Sequence, residues 1–125
     1  MTIEVSNGEI LDKLSILKIK KDTITDQDKL SNVQKEHDYV HSVSQDLLNQ
    51  EAVKELFESL VQVNKELWDI EDKIRIKEKQ LTFDEDFISL ARSVYITNDK
   101  RASIKKQINV VSKSEFVEEK SYEKY

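Results

Sequence analysis

The sequence predicts an all-α fold, a four-helix antiparallel bundle built on a long helical hairpin, and three observations predict it. Proline is absent and the one glycine is Gly8, so nothing breaks a helix internally. Apolar residues recur at three- and four-residue spacing over long stretches. Neither the alternation of a half-buried strand nor a recurring Gly-based hairpin turn is found. At 125 residues the chain suits one domain, with a bundle over 1–113 and a C-terminal tail over 114–125.

Ser6-Asn7-Gly8-Glu9 is a capping-box pattern, in which the Ser6 oxygen takes an orphan amide and Glu9 reaches back to the cap. The first helix therefore begins at Asn7 and runs to about Lys21. Its apolar residues point several ways, with Ile10, Leu14 and Leu17 on one side, Leu11 on another, and Ile16 and Ile19 on a third, which suits a helix wedged among several neighbours. Thr25-Asp26-Gln27-Asp28 supplies acceptors for the start of a second helix, ending near Leu48 before the weak point Asn49-Gln50. The third helix runs from about Glu51 to Gln80 or Leu81. Thr82-Phe83-Asp84 is a tight connection with Thr82 or Asp84 as cap, and the fourth helix runs from about Asp84 to Val111. The short connection makes these last two an antiparallel hairpin, whose apolar side the first two helices must cover. The tail, SKSEFVEEKSYEKY, is polar but carries Phe116, Val117, Tyr122 and Tyr125, so it either frays or packs onto its own bundle or a second subunit.

Composition removes several function classes. With 20 basic and 25 acidic side chains, net charge −5 and mixed signs, no broad basic field exists to hold a phosphate backbone, so duplex nucleic acid is not an expected partner. Cysteine is absent, which excludes a thiol nucleophile, a disulfide framework and a zinc ribbon. One glycine cannot make a phosphate-cradling loop, and no cofactor is expected. The start MTIEVSNGEI has neither a basic n-region nor an apolar h-region, and no apolar run nears the ~20 residues that span a bilayer. A cytoplasmic protein without a membrane partner is the expectation.

The informative feature is where the core stripe turns polar. On the third helix Val53, Leu56, Leu60, Val63, Leu67, Ile70, Ile74 and Leu81 define the buried stripe, edged by Asn64, Trp68, Glu71, Arg75 and Glu78. On the fourth, Phe87, Leu90, Ala91 and Val94 are continued on the same face by Asn98, Arg101, Ala102, Lys105, Ile108 and Asn109. A turn near Phe83 makes facing residue numbers sum to about 166, which puts Glu71 level with Tyr95, Trp68 with Asn98, and Asn64 with Arg101 or Ala102. Charge on a core face needs a partner, because an unpaired buried ion costs several kcal/mol. Glu71 and Glu78 are the nearest carboxylates, and Asp12 or Lys13 from the first helix can join.

Three uses of this seam stay open. In one, Arg101 and Lys105 snorkel past the core to pair with Glu71, giving specificity of packing and nothing more. In another, Arg101, Lys105 and Arg75 bind an anion while Trp68 and Tyr95 stack on a ring and Asn98 and Glu71 orient it. In the third the same residues form a subunit interface. An enzyme acting on a phosphorylated or carboxylated small molecule would draw its acid and base from Glu71, Tyr95 or a lysine of the seam.

Two further signals are weaker. His37 and His41 stand one helical turn apart and can chelate a transition metal, but zinc sites usually take three or four protein ligands. The acidic pairs in ELFE (55–58) and ELWD (66–69) sit eleven residues apart on one helix, about 16 Å along its axis, too far to share a metal.

GEILDKLSILKIK at 8–20, LWDIEDKIRIKE at 67–78, FISLARSVYITNDKRASIKKQIN at 87–109 and EEKSY at 118–122 together resemble a family of short bacterial and phage proteins known as a domain of unknown function. The resemblance covers nearly the whole chain. Its motif positions are Glu9, Asp12, Lys13, Trp68, Glu71, Asp72, Arg75, Glu78, Arg92, Tyr95, Asn98, Arg101, Lys105 and Asn109, and it implies a shared role for these polar side chains. The expected function is binding, of an anionic, nucleotide- or sugar-linked small molecule or of a protein partner. The expected ligand set is Lys13, Trp68, Glu71, Arg75, Arg92, Tyr95, Asn98, Arg101 and Lys105, in a homo-oligomer, most simply a dimer. A structural or oligomeric interaction module is the remaining alternative.

Overall fold

In the computed structural model, which describes residues 1–125, the caps set the helix starts. α1 (Asn7–Thr23) begins where Ser6 Oγ accepts the Glu9 amide at 3.1 Å. The second half of the expected capping box is redirected, since the Glu9 carboxylate accepts from Lys105 of the fourth helix instead of from its own cap. α2 (Gln27–Leu48) is capped by Asp26, which accepts the Lys29 amide at 3.0 Å. α3 (Glu51–Lys79) follows Gln50 with no side-chain cap, and α4 (Glu85–Val111) starts under Asp84, which accepts the Phe87 amide at 2.9 Å and Lys77 at 2.9 Å.

The two long helices end alike. Leu81 and Lys113 lie in the left-handed region with φ of 53° and 55°. Around them run the paired bonds of a Schellman motif, Thr82 N–H to Lys77 and Leu81 N–H to Glu78 in one, Ser114 N–H to Asn109 and Lys113 N–H to Val110 in the other. Glycine usually holds this position, and neither site has one.

α1 packs on all three other helices, α2 also touches α3, and α2 and α4 do not meet. Its mixed apolar faces account for this central place: Leu11, Leu14 and Leu17 join Val40 of α2, Val53 and Leu60 of α3 and Ile108 of α4 in one core. Each such side chain contributes roughly 1.5–3 kcal/mol by leaving water. The crossing of α1 over α4 is close enough to need the chain's single glycine. A Cβ on Gly8 would stand 2.6 Å from the Lys105 carbonyl oxygen, and its N–H donates to Asn109 Oδ1 at 2.6 Å.

This core occupies one end of the hairpin. The last turn of α1 meets α3 around Trp68 and Asp69, so the ten residues of α3 beyond Asp69 run about 15 Å further without cover from it. No side chain from Lys65 to Ile96 is fully buried. The expectation that α1 and α2 cover the hairpin's whole apolar side is thus corrected. Leu67, Ile70 and Ile74 are half-buried and Leu81 is exposed, because α1 is too short to follow α3 to its end.

Candidate functional site: the polar seam

The seam forms where α1 crosses the polar stretch of α4, and its centre is Asp12. This carboxylate is 1% exposed, carried inward by the same helix that carries Leu11 and Leu14 into the core. Arg101 grips it with both arms of its fork, Nε donating to Oδ1 at 2.9 Å and Nη2 to Oδ2. From α3, Asn64 Nδ2 donates to the same Oδ1 at 2.9 Å and to Ser15 Oγ at 2.6 Å, while Ser15 donates to the Asp12 carbonyl at 2.7 Å. Lys105 Nζ lies 3.6 Å from Asp12 and donates to Glu9 at 2.7 Å. No buried side-chain polar atom lacks a partner.

The electrostatics follow from that geometry. Burial alone pushes the Asp12 carboxyl up, but hydrogen bonds from Arg101 and Asn64, with the charges of Arg101 and Lys105, outweigh it. The group is held below its ordinary value of 3.8. The hydrogen bond to Asp12 in turn raises the Arg101 guanidinium, against the opposing effect of burial.

The tail packs back along α4. Asn7 N–H donates to Ser114 Oγ at 3.0 Å, the Ser6 hydroxyl donates to Glu118, Lys106 pairs with Glu119 at 3.0 Å, and Tyr125 donates to Asp99 at 2.6 Å. Of the fates expected for this segment, docking on its own bundle is the one found. Between tail and helix lies an open cavity of about 340 Å³ with Asn98, Arg101, Lys105 and Asn109 on the helix side, Lys106 at its rim, and Glu118, Glu119 and Lys120 on the tail side.

Of the nine residues expected to share a ligand, three meet here: Asn98, Arg101 and Lys105. The others are dispersed. Trp68 is half-buried beside Ile19, Asp22 and Lys65 in a separate shallow hollow, because level with Asn98 along the axis is not the same as facing it. Tyr95 stacks edge-on against Tyr125, ring centroids 5.2 Å apart, and does not line the cavity. Glu71 reaches no residue of α4; it pairs with Arg75 one turn on, 3.6 Å away and in solvent. Lys13 pairs with Glu36 of α2 at 3.2 Å, and Arg92 is exposed. The expected Glu71–Arg101 pair is therefore replaced by Asp12–Arg101, since α1 inserts on the side where Arg101 points.

Lys106, Glu118, Glu119 and Lys120 lie in the stretches 87–109 and 118–122 that carry the resemblance, but sequence reasoning left them out of the ligand set. A further sequence signal was the acidic EE of the tail and the basic KK of α4. His37 and His41 stack with centroids 5.7 Å apart, and no group of three His, Asp or Glu side chains is placed to hold a metal ion. Glu55, Glu58, Glu66 and Asp69 are all exposed, as a solvated face would be. No helix is long and apolar enough to cross a membrane.

A family model, described as a family of unknown function (DUF6165), matches residues 1–125. No curated protein and no solved structure matches the chain.

Proposed function

Since the chain belongs to this family of unknown function, we propose from the seam itself that it is a small binding protein for an anionic small molecule, carrying phosphate or carboxylate groups as a nucleotide or a sugar-linked metabolite does. The observation that carries the proposal is the cavity between α4 and the tail. Its volume, about 340 Å³, lies in the range of small-molecule sites, and its cations are Arg101, Lys105, Lys106 and Lys120, of which the first three also pair with Asp12, Glu9 and Glu119. Arg101 is immobilised by Asp12 and Asn109 by Gly8, so that wall is preorganised and a ligand loses little freedom to it. The half-buried Asn98 amide adds a donor and an acceptor on the same wall. The tail already places its own carboxylates there, Glu118 on Ser6 and Glu119 on Lys106, which is the chemistry a ligand anion would use.

A second reading is favoured by the closed Asp12–Arg101 pair, in which both carboxylate oxygens are taken: the seam then locks α1 to the hairpin and holds no ligand. The enzyme reading has less support, since of its expected acid and base groups Glu71 and Tyr95 stand outside the cavity and only a lysine of the seam, Lys105, lines it.

The test is a thermal-shift screen against nucleotides, nucleotide sugars, phosphorylated sugars and divalent metals, comparing the wild type with Lys106→Ala/Lys120→Ala. Those two lysines are exposed, so the double variant keeps the bundle. A ligand at a hundred times its Kd stabilises by about 2.7 kcal/mol through mass action. The expected result is a shift in the wild type that shrinks in the variant. No shift from any anion, or an equal shift in both proteins, decides for the locking role.

A further inference from the structure

The distal hairpin has no role in the seam, and its surface is unlike that of a finished monomer. From Lys65 to Ile96 no side chain is fully buried, although the segment holds Leu67, Ile70, Ile74, Phe87, Leu90 and Val94 in half-buried positions. Ile76, Phe83 and Ile88 are more exposed still, at 54%, 55% and 56%. Two antiparallel helices by themselves have no interior, because each can shield one side of the other and no more. On one face Ile76 and Leu90 floor an open groove of about 380 Å³, rimmed by Lys73, Lys77 and Asp86.

The charge pattern says what fits that face. Along α3, Glu66, Asp69, Glu71 and Asp72 come first and Lys73, Arg75, Lys77 and Lys79 follow, with Lys65 and Glu78 as the two exceptions. A helix acidic in one half and basic in the other is complementary to itself when reversed. A two-fold axis passing between Asp72 and Lys73 sets Glu66 against Lys79 and Asp72 against Lys73 of the second copy, and lays the two exposed arms along each other with Ile76 at the contact.

We propose that the distal hairpin, residues 65–96, is a dimerisation arm whose partner is a second copy of this chain, the two α3 helices crossing antiparallel about Asp72–Lys73 to complete a four-helix bundle. This surface is independent of the ligand cavity, and the two proposals fail separately.

Sedimentation velocity of the full chain across the micromolar range is the test, with three variants followed alongside. Ile76→Glu places a charge on the groove floor and is expected to raise the dimer dissociation constant at least about tenfold. Its side chain is exposed in the monomer, so circular dichroism and a cooperative melt are retained. Glu66→Lys/Asp69→Lys makes the arm basic, and Lys73→Glu/Lys79→Glu makes it acidic. Each is expected to sediment as a monomer alone and to form a one-to-one heterodimer when mixed. A wild type that stays monomeric throughout the range overturns the proposal. So does a dimer that persists unweakened in Ile76→Glu, or a pair of charge variants that fail to associate on mixing.

Discussion

Replacing Arg101 by methionine tests the centre of the fold. The substitution keeps an unbranched stem of similar reach but removes the fork, leaving Asp12, 1% exposed, with Asn64 at 2.9 Å and Lys105 at 3.6 Å. Breaking a buried ion pair by removing one partner costs about 3–5 kcal/mol, because the remaining charge is still out of water. Two observations place this case at the lower end: Lys105 is near enough to share the carboxylate, and the Arg101 side chain is itself 29% exposed. We expect a loss of about 3 kcal/mol, read as a fall in the urea midpoint at unchanged slope. With an unfolding entropy near 2.1 cal/mol/K per residue over 125 residues, that corresponds to a drop in Tm of roughly 11 °C. The companion variant Asp12→Leu/Arg101→Met removes both charges and is expected to recover most of the loss. A single variant that costs less than about 1 kcal/mol, or a double variant no more stable than Arg101→Met, refutes the view that Asp12 is a buried ion needing this partner.

Acid provides an independent check on the same group. The folded Asp12 carboxyl lies below its ordinary value of 3.8, so it contributes stability that is present above that value and lost as pH falls through the folded one. Denaturation midpoints followed from pH 6 downwards should fall on the acid side of roughly pH 4 in the wild type, and the part due to Asp12 should be missing in Asp12→Asn. Gly8→Ala would place a Cβ 2.6 Å from the Lys105 carbonyl oxygen, a backbone atom that cannot rotate aside. We expect α1 to shift off α4 at a cost of about 1–3 kcal/mol, and an unchanged urea midpoint would show that the crossing is looser than described. Lys113→Gly, at φ 55°, should do the opposite and stabilise the chain by up to about 1 kcal/mol in the same measurement, since glycine carries no Cβ penalty in the left-handed region.

The local features were legible because their causes are local. Ser6, Asp26 and Asp84 announce helix starts through side chains that reach an amide three residues on, and the structure uses all three. The hairpin register was legible too: a turn near Phe83 puts Asn64 level with Arg101 or Ala102, and Asn64 and Arg101 both donate to one oxygen of Asp12. The ends of α3 and α4, at Lys79 and Val111, fall at or within two residues of the expected Gln80 or Leu81 and Val111, although Leu81 and Lys113 occupy positions where glycine would have been the signal.

By itself the sequence determined that the fold is helical, where its helices begin, and that the apolar face of α4 gives way to Asn98, Arg101 and Lys105. Tertiary structure decided which carboxylate meets them. Glu71 was nearest along the hairpin, but charge pairing depends on azimuth and on what inserts between helices, and α1 brings Asp12 and Glu9 to that side. The docking of Glu118 and Glu119 beside Ser6 and Lys106 was decided the same way. These contacts join residues more than ten positions apart, and no periodicity within a single helix encodes them. Periodicity also could not show that α1 stops short of the hairpin's tip, leaving the apolar residues of the arm to find their cover elsewhere.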